Sequence, residues 1–248
     1  VAGAAVAGAA AARALLRRGA DVTVLDRRAT DATEQLAAAG ATVVVGEEPP
    51  SGVVAQASDL VVSPGFPPDH PLVREAAAAG VPVYSEPELA WRLRGPDCAP
   101  WLAVTGTNGK TTTVTMLAAI LTAAGWRTAA VGNIGTPLVD LPGHTDPDGY
   151  DVLAVELSSQ QLHWSTTLAP PAAALLNLAD DHLEWHGGFA AYQESKQAVW
   201  RAAGAGSAAV AVGNADDPRV AALLAAVPGR RIGFTLGEPG PGQLGIVD

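Results

Sequence analysis

The residues best suited to chemistry form a run of ten, Val104 to Thr113, which reads V-T-G-T-N-G-K-T-T-T. An apolar stretch precedes this run and an apolar-spaced segment, Val114 to Ala124, follows it, which predicts a strand, a glycine-rich turn and a helix. Such a turn directs backbone N–H groups and the positive end of the helix at one point, where a phosphate can bind. Lys110 would supply a charge for the outer phosphates, and Thr111 a hydroxyl for magnesium.

The turn departs from the general phosphate-loop pattern, because Val104 stands where that pattern has its first glycine. We therefore interpret it as a shorter variant, G-T-N-G-K-T, that begins at Gly106. An ordinary strand-to-helix connection with a surface lysine is the alternative.

Two polar clusters follow, each at the end of an apolar, strand-like run. The first, E-L-S-S-Q-Q, begins at Glu156, and the second, N-L-A-D-D-H, ends at His182. Because open parallel sheets bind ligands at the carboxyl ends of their strands, both clusters are expected beside the phosphate loop. Glu156 could then hold magnesium, and His182 a second metal or the substrate. Alternatively, Glu156 and the serines cap one helix, and Asp180 or Asp181 caps another.

A lysine lies on the apolar face of a predicted helix. Between Phe189 and Trp200 the apolar residues share one face, and Lys196 falls on it. Burial would lower the pKa of this amine and leave it nucleophilic enough to take up carbon dioxide as a carbamate, an anionic metal ligand. The alternative, favoured by spacing alone, is a stem that packs while the ammonium extends to water.

These residues require a scaffold, and the alternation of strand-like and helical runs predicts an α/β fold with parallel sheets. A polar, proline-containing segment at residues 94–100 marks the boundary between two units. We expect a Rossmann-like domain over residues 1–96 and a phosphate-loop mononucleotide-binding domain, incomplete at its C-terminal end, over residues 97–248. The predicted strands are Asp21 to Asp26, Thr42 to Val45, Leu60 to Ser63, Val81 to Tyr84, Trp101 to Thr105, Thr128 to Val131, Val152 to Glu156, Ala172 to Leu178, Ser207 to Val212 and Arg230 to Phe234. The other predicted helices are Gly8 to Arg18, Thr33 to Ala39, Leu72 to Ala79 and Glu86 to Leu93, with a surface loop at His144 to Gly149 and an irregular segment at Gly237 to Gly245.

Composition excludes several classes of function. The 248 residues carry a formal charge of -10, which argues against a nucleic-acid surface. The only cysteine, Cys98, excludes an internal disulfide and a thiolate metal cluster. No run of 18 apolar residues is present to span a membrane, so we expect a cytoplasmic protein. The first residue is not methionine and the chain opens inside a strand-to-helix turn, so we expect it to be incomplete there.

Taken together, the motifs resemble the Mur ligase family, whose members form amide bonds in peptidoglycan precursor synthesis. The resemblance covers nearly the whole chain in one order: the loop, Gly132 to Gly135, Glu156 to Ser159, Asp181-His182, Lys196 and Asn214 to Asp217. Three details favour the members that add D-glutamate to UDP-N-acetylmuramoyl-L-alanine. They are Asn108 in the loop, the S-S-x-Q form of Ser158 to Gln161, and Ser63-Pro64-Gly65 in the first unit.

The resemblance implies a role for each matching residue. ATP would be bound by the loop, and one magnesium ion by Thr111 and Glu156. A second magnesium ion would be bound by His182 and a carbamylated Lys196, and the expected catalytic residues are Lys110, Glu156, His182 and Lys196. The ATP-binding residues would be Gly106, Thr107, Asn108, Gly109, Lys110, Thr111 and Thr112. The muramoyl-peptide end of the substrate would contact Asn133, Ser158 and Gln161, and the UDP end would contact Gly3, Val6, Ala7, Gly8, Asp26 and Arg28.

The reaction implied is an ATP-dependent ligation. ATP would phosphorylate the carboxylate of the substrate, and the amine of D-glutamate would attack the resulting acyl phosphate. The resemblance also implies a monomer without nucleic-acid or membrane partners. The family's third domain has no counterpart here, so we expect the chain alone to bind nucleotide weakly and to form no amide.

Two other functions remain open at this stage. One is a folylpolyglutamate-type ligase or another Mur step, which Ser63-Pro64-Gly65 and Asp26-Arg27-Arg28 disfavour. The other is a scaffold that keeps the loop without catalysis, which the joint presence of Glu156, His182 and Lys196 disfavours.

Overall fold

The structure is a computed structural model of the chain, and it describes residues 1–47, 50–95, 97–141, 149–205 and 208–247. Strands and helices alternate along these residues, as predicted. The helices are α1 Val6–Leu16, α2 Asp31–Ala38, α3 Pro71–Ala79, α4 Glu86–Leu93, α5 Lys110–Ala123, α6 Ser159–His163, α7 Leu183–His186, α8 Phe189–Gln197, α9 Arg201–Gly204 and α10 Pro218–Ala225. The strands are β1 Thr23–Asp26, β2 Thr42–Val45, β3 Leu60–Val61, β4 Val83–Tyr84, β5 Trp101–Thr105, β6 Ala130–Gly132, β7 Leu153–Glu156, β8 Ala172–Leu175, β9 Val210–Asn214, β10 Arg230–Phe234 and β11 Gln243–Leu244.

The N-terminal part contains two short parallel pairs, β1 with β2 and β3 with β4. The first residues of the chain join them, because Ala2 bridges both Leu25 and Val62. The turn from this segment into α1 contains Gly3, whose φ of 84° suits glycine. The turn therefore opens at the carboxyl ends of β1 and β3, where a parallel sheet binds its ligands.

The second part is a parallel sheet of seven strands in the order β11-β10-β9-β8-β5-β7-β6. Residue pairing aligns the strand ends that matter for the site, since Val104 pairs with Glu156 and Glu156 with Gly132. The strands β6 and β7 lie on one side of β5, and the strands β8 to β11 lie on its other side. The direction in which the chain adds strands to the sheet therefore reverses beside β5. The carboxyl edge at such a reversal is a usual ligand site in α/β proteins.

One hydrophobic core joins the two parts. Ala10 and Ala11 of α1 and Leu89 of α4 belong to the same buried cluster as Trp101 and Leu153 of the large sheet. The junction is also polar, because Glu88 of α4 is fully buried and accepts hydrogen bonds from the backbone of residues 166–168. The first part is thereby held against the sheet that carries the phosphate-loop motif.

Several boundaries differ from the sequence prediction. The helix predicted from Val114 begins at Lys110, and the strand predicted to reach Leu178 ends at Leu175. The strand β11 lies inside the segment predicted to be irregular. Ser207 and residues 144–148 of the predicted loop lie outside the described residues, as does Pro96 at the predicted boundary. The division at residue 96 itself stays a prediction.

Candidate active site

The phosphate-loop motif connects β5 to α5 with two glycines in conformations that other residues rarely adopt. Gly106 has a φ of 156°, and a side chain there would press on Leu176. Gly109 has a φ of 81° and immediately precedes the helix. The loop is held from the neighbouring strand exit, because Thr107 N–H donates to Asn177 O at 3.0 Å and Asn108 N–H to Asn177 Oδ1 at 2.8 Å. The backbone is therefore fixed before any ligand arrives, as an anion-binding loop requires.

Two lysines converge on this loop. Lys110 Nζ donates to the carbonyl oxygens of Gly106 at 3.0 Å and Thr107 at 2.9 Å. Lys196 Nζ, from α8, donates to the same Gly106 oxygen at 2.8 Å. Two lysine Nζ atoms thus share one carbonyl oxygen, which brings the only two lysines of the chain together at the loop.

Lys196 does not extend to water, so the alternative that spacing favoured is wrong. The residue is only 2% exposed, because the lysine face of α8 packs against the loop, and Nζ lies 4.9 Å from the centre of the Tyr192 ring one turn earlier in the same helix. Burial, followed by the nearby charge of Lys110, lowers the pKa of Lys196 to about 7. A substantial neutral fraction of this amine therefore exists near neutral pH, which is the form that reacts as a nucleophile.

Glu156 ends β7 and does not cap a helix. Its Oε2 accepts from Thr111 Oγ1 at 2.7 Å, and its Oε1 accepts from Asn133 Nδ2 at 2.9 Å. The carboxylate is 2% exposed and lies between the start of α5 and the turn after β6. A carboxylate and a hydroxyl in contact beside a phosphate-type loop are ligands that magnesium prefers.

The serine part of the capping alternative is correct. Ser158 is the N-cap of α6, with its hydroxyl accepting from Gln161 N–H and the Gln161 side chain accepting from Ser158 N–H. This reciprocal pair is a capping box. Gln161 is consequently buried, and Gln160 lines the neighbouring cavity instead.

His182 stands at the start of α7 with a φ of 51°, the only positive φ of a residue other than glycine among the described residues. Its Nε2 lies 3.6 Å from Asp181 Oδ2. Neither Asp180 nor Asp181 caps this helix, so their capping alternative is not observed. The left-handed backbone costs free energy, and such strain is concentrated at functional positions.

A cavity of about 370 Å³ brings several of these groups together, and Thr111 and Glu156 are not among the residues that line it. It is bordered by both lysines, by Asp181 and His182, and by Trp185, which sequence reasoning did not single out. Its lining residues are Pro64, Gly65, Lys110, Asn133, Ser158, Ser159, Gln160, Asp181, His182, Trp185 and Lys196. Trp185 carries no periodic or motif signal, so only the fold reveals it, whereas Gln160 belongs to the polar cluster that begins at Glu156.

A second cavity of about 280 Å³ lies in the N-terminal part, and Gly65 borders both. Gly3, Asp26 and Arg28 line it, together with Phe66 and His70, which the sequence did not indicate. Asp26 is oriented by the turn, since its Oδ2 accepts from Ala4 N–H at 2.6 Å.

The other predicted residues of this turn differ in exposure. Val6 is exposed and Ala7 is partly exposed, but Gly8 is buried. A side chain at Gly8 would overlap the Gly3 carbonyl oxygen, so Gly8 permits close packing of α1 on the turn.

Two general features complete the description. Among the described residues there is no group of three or more His, Cys, Asp or Glu side chains that could hold a metal ion. Any metal in the main cavity would therefore need further ligands, such as phosphate oxygens, water or a modified lysine. Within the same residues no helix combines the length and apolar character needed to cross a membrane.

The fold and the loop define an α/β protein with a doubly wound parallel sheet and a site suited to phosphate at its carboxyl edge. The profile of the Mur ligase middle domain matches residues 104–238, and that of the Mur ligase MurD-like N-terminal domain matches residues 1–85. The chain belongs to the Mur ligase family.

Relatives and solved structures agree with this assignment. The chain is 53% identical to the UDP-N-acetylmuramoylalanine–D-glutamate ligase of Frankia casuarinae, a match covering 100% of this chain and 52% of the relative. It is 50% identical to the ligase of the same name from Streptomyces avermitilis, covering 100% of this chain and 53% of the relative. The chain thus spans about half the length of these relatives.

The structure likewise resembles two solved ligases. For the UDP-N-acetylmuramate:L-alanyl-gamma-D-glutamyl-meso-diaminopimelate ligase from Neisseria meningitides the TM-score is 0.59 at 22% identity, covering 97% of this chain and 80% of that one. For the murein peptide ligase of Psychrobacter arcticus it is 0.52 at 22% identity, covering 92% and 50%. These likenesses concern the fold.

Proposed function

We propose that the chain is part of an ATP-dependent ligase that adds D-glutamate to UDP-N-acetylmuramoyl-L-alanine. The names of relatives at 50 to 53% identity support this substrate pair. The observation that carries the proposal is the convergence of Lys110 and Lys196 on Gly106 O, beside a cavity that Gly65 of the N-terminal part also borders. A phosphate-binding loop is thereby adjacent to a second cavity large enough for part of a nucleotide-linked substrate.

The loop residues Gly106 to Thr112 bind the phosphates of ATP in this proposal. Backbone N–H groups at the start of α5 and the ammonium of Lys110 offset the repulsion between the γ-phosphate and the substrate carboxylate. When phosphate occupies the loop, we expect Lys110 to exchange its two carbonyl contacts for phosphate oxygens. Positioning and charge stabilisation, rather than covalent catalysis by the protein, then account for phosphoryl transfer.

Magnesium fits a donor set beside the main cavity, where Glu156 contacts the cavity-lining Asn133. Thr111 Oγ1 and Glu156 Oε2, already 2.7 Å apart, would hold one ion together with nucleotide oxygens. His182 and Lys196 would contribute to a second. Bound magnesium would neutralise charge that develops on the transferred phosphoryl group.

Lys196 fits the second ion only if it becomes anionic. Its neutral amine, favoured by the pKa of about 7, can add carbon dioxide with release of one proton and yield a carbamate. A carbamate is a hard oxygen ligand of the kind magnesium prefers. Burial, which is costly for an ammonium group, would therefore favour the neutral amine that forms the carbamate.

The substrate residues complete the assignment. We assign Asn133 and Ser158, with Gln161 acting through the cap of α6, to the muramoyl-peptide end. Gly3, Val6, Ala7 and Gly8 are assigned to the diphosphate, and Asp26 and Arg28 to the uracil side. The turn at Gly3 and the orientation of Asp26 by Ala4 N–H support the latter group.

Phosphate release by the intact enzyme tests the function. We expect turnover with ATP, UDP-N-acetylmuramoyl-L-alanine and D-glutamate, and not with L-glutamate or with folates. Turnover with folates alone would contradict the proposal. The Lys196→Ala enzyme should be inactive and partly restored by short carboxylic acids, whereas full activity of Lys196→Ala would remove the carbamate.

A further inference from the structure

The motif Asn214 to Asp217 begins at the last residue of β9 and has no role in the function proposed above. Its two aspartates accept hydrogen bonds from the chain beyond the neighbouring strands. Asp216 accepts from residues 235–236, just beyond β10, at 2.6 and 2.8 Å. Asp217 Oδ2 accepts from Leu178 N–H, beyond β8, at 2.9 Å, while its Oδ1 accepts from the first backbone N–H groups of α10. The motif therefore joins the carboxyl ends of three neighbouring strands.

The backbone of Leu178 is held at both of its polar groups from the start of α10. Its N–H donates to Asp217, and its carbonyl oxygen accepts from Arg219 Nη1 at 3.2 Å. The guanidinium of Arg219 lies over the Phe189 ring, 4.3 Å from the ring centre. Leu178 is buried and lies three residues beyond the end of β8, so a side chain takes the place of a strand partner there. An unpaired N–H at this position would be costly.

The residues on either side of Leu178 hold the phosphate loop. Asn177 accepts from Thr107 N–H at its carbonyl oxygen and from Asn108 N–H at Oδ1, at 3.0 and 2.8 Å. Asn177 Nδ2 also donates to Asn108 O at 3.1 Å. On the other side, Ala179 N–H donates to Thr107 Oγ1 at 2.9 Å. Leu178 therefore lies between two residues that contact the loop, while its own backbone is held from α10.

We propose that Asp217 is a positioning residue for the phosphate loop. By holding Leu178 it fixes Asn177, and Asn177 keeps the N–H groups at the start of α5 directed at the phosphate site. The inference rests on the proposed function, because that function places the nucleotide at this loop. Without Asp217 the segment after β8 would shift more freely, and the loop would be less well ordered for phosphate before the nucleotide binds.

Electrostatics and positioning predict opposite effects of removing this carboxylate. Loss of a negative charge near an anion site weakens repulsion, so on electrostatic grounds the nucleotide would bind more tightly. Loss of a positioning contact would instead weaken nucleotide binding. The sign of the change therefore separates the two effects, and Asp216 offers the same change of charge one residue earlier.

Asp217→Ser removes the contact with Leu178 and keeps the cap of α10, because serine is a good N-cap but its shorter side chain cannot also reach Leu178. In the intact enzyme we expect KM for ATP to rise about threefold to tenfold, roughly the contribution of one hydrogen bond. KM for the UDP-linked substrate should change less than about twofold. The matched control is Asp216→Ser, which loses the same charge and the contacts beyond β10, and should leave KM for ATP unchanged.

A double substitution tests whether the effect passes through Asn177. In an Asn177→Ala background the side-chain contacts with Asn108 are absent, so Asp217→Ser should raise KM for ATP by a smaller factor than in the original enzyme. A purely structural role would lower the Tm and the active fraction, and hence the maximal rate, without raising KM. An unchanged KM in Asp217→Ser, an equal rise in Asp216→Ser, or the same factor in both backgrounds would overturn the proposal.

Calorimetric titration with ADP makes the same comparison without turnover. The Kd should rise about threefold to tenfold in Asp217→Ser and stay unchanged in Asp216→Ser. If the unsubstituted enzyme forms no amide while ADP binding follows this pattern, the proposed function is wrong and the positioning role is correct. If the unsubstituted enzyme is an active ligase and all three proteins bind ADP equally, the positioning role alone is refuted.

Discussion

Replacing Lys196 with methionine should change how the stability of the protein depends on pH. The pKa of Lys196 is about 7 when folded, against 10.5 for an unperturbed lysine. Between these values the unfolded chain binds a proton that the folded chain does not, so stability rises with pH across the window from about 7 to about 10.5. A shift of about 3.5 units corresponds to about 5 kcal/mol if the burial of the side chain does not change on protonation.

The measurement is urea-induced unfolding at pH 7.5 and at pH 9.5, in buffers depleted of carbon dioxide so that no carbamate forms. The original protein should gain about 2 to 3 kcal/mol between the two pH values from this residue alone. Lys196→Met has no proton to lose, so its free energy of unfolding should lack that gain, and the variant should be stabilised more at pH 7.5 than at pH 9.5. Parallel pH dependences of the two proteins would refute the reasoning.

Lys110→Met is the matched control, because Lys110 is the only other lysine of the chain and contacts the same Gly106 carbonyl oxygen. The charge of Lys110 is the second cause of the low pKa of Lys196. Its removal should therefore reduce the gain between the two pH values slightly and not abolish it. If Lys110→Met lost the pH dependence completely, the effect would have to be attributed to Lys110 and not to the titration of Lys196.

Three further substitutions test the scaffold. Burial raises the pKa of Glu86 to about 7, so this residue should make the free energy of unfolding fall as pH rises from about 4.5 to about 7. Urea titrations at pH 5 and pH 7 measure this decrease, which should be up to about 3 kcal/mol. The Glu86→Gln variant should lack it. Gly8→Ala should lower the free energy of unfolding by at least about 2 kcal/mol because the new methyl group overlaps the Gly3 carbonyl, whereas Gly204→Ala, which meets open space, should not. Asp217→Ala should cost about 1 to 2 kcal/mol in the same assay, because Asp217 caps α10 and accepts from the backbone beyond β8.

Each of these predictions has a result that contradicts it. An unchanged pH dependence in Glu86→Gln would mean that the residue is not protonated in the folded state. Equal effects of the two glycine substitutions would mean that α1 moves away from the turn at little cost. A neutral Asp217→Ala would mean that water replaces the cap.

The sequence predicts the fold well where a local pattern is strong. The strands β2, β5 and β10 and the helix α4 occupy their predicted residues without any shift. The misplaced boundaries have local causes. At α5 a glycine in the left-handed conformation at position 109 lets the helix begin at the next residue, Lys110, and not at the first apolar one. At β8 the strand ends at Leu175, and Asn177 is used instead to hold the loop.

The site is predictable in part, because its glycines and charged residues follow strands in a fixed order. Lys196 shows the limit of spacing. A lysine on an apolar face can pack its stem or bury its charge, and only the contact with Gly106 O decides between them. Trp185 reaches the cavity through the path of the chain around α6 and α7, which no local pattern encodes.

The polar junction between the two parts explains why buried carboxyl groups occur far from the phosphate loop. Glu86 accepts from Val139 N–H at 2.8 Å, and Ser85 Oγ donates to Gln161 O at 3.0 Å. Both residues belong to the segment that leads from β4 into α4, so this segment contacts the 3₁₀ turn at residues 138–140 and the helix whose N-terminus bears Ser158. A polar contact is directional, whereas apolar packing alone permits sliding, so these hydrogen bonds fix the position of the N-terminal part relative to α6. If the proposed function is correct, that position sets the distance between the UDP end of the substrate and the carboxylate that receives phosphate, which explains why the cost of burying Glu86 is tolerated.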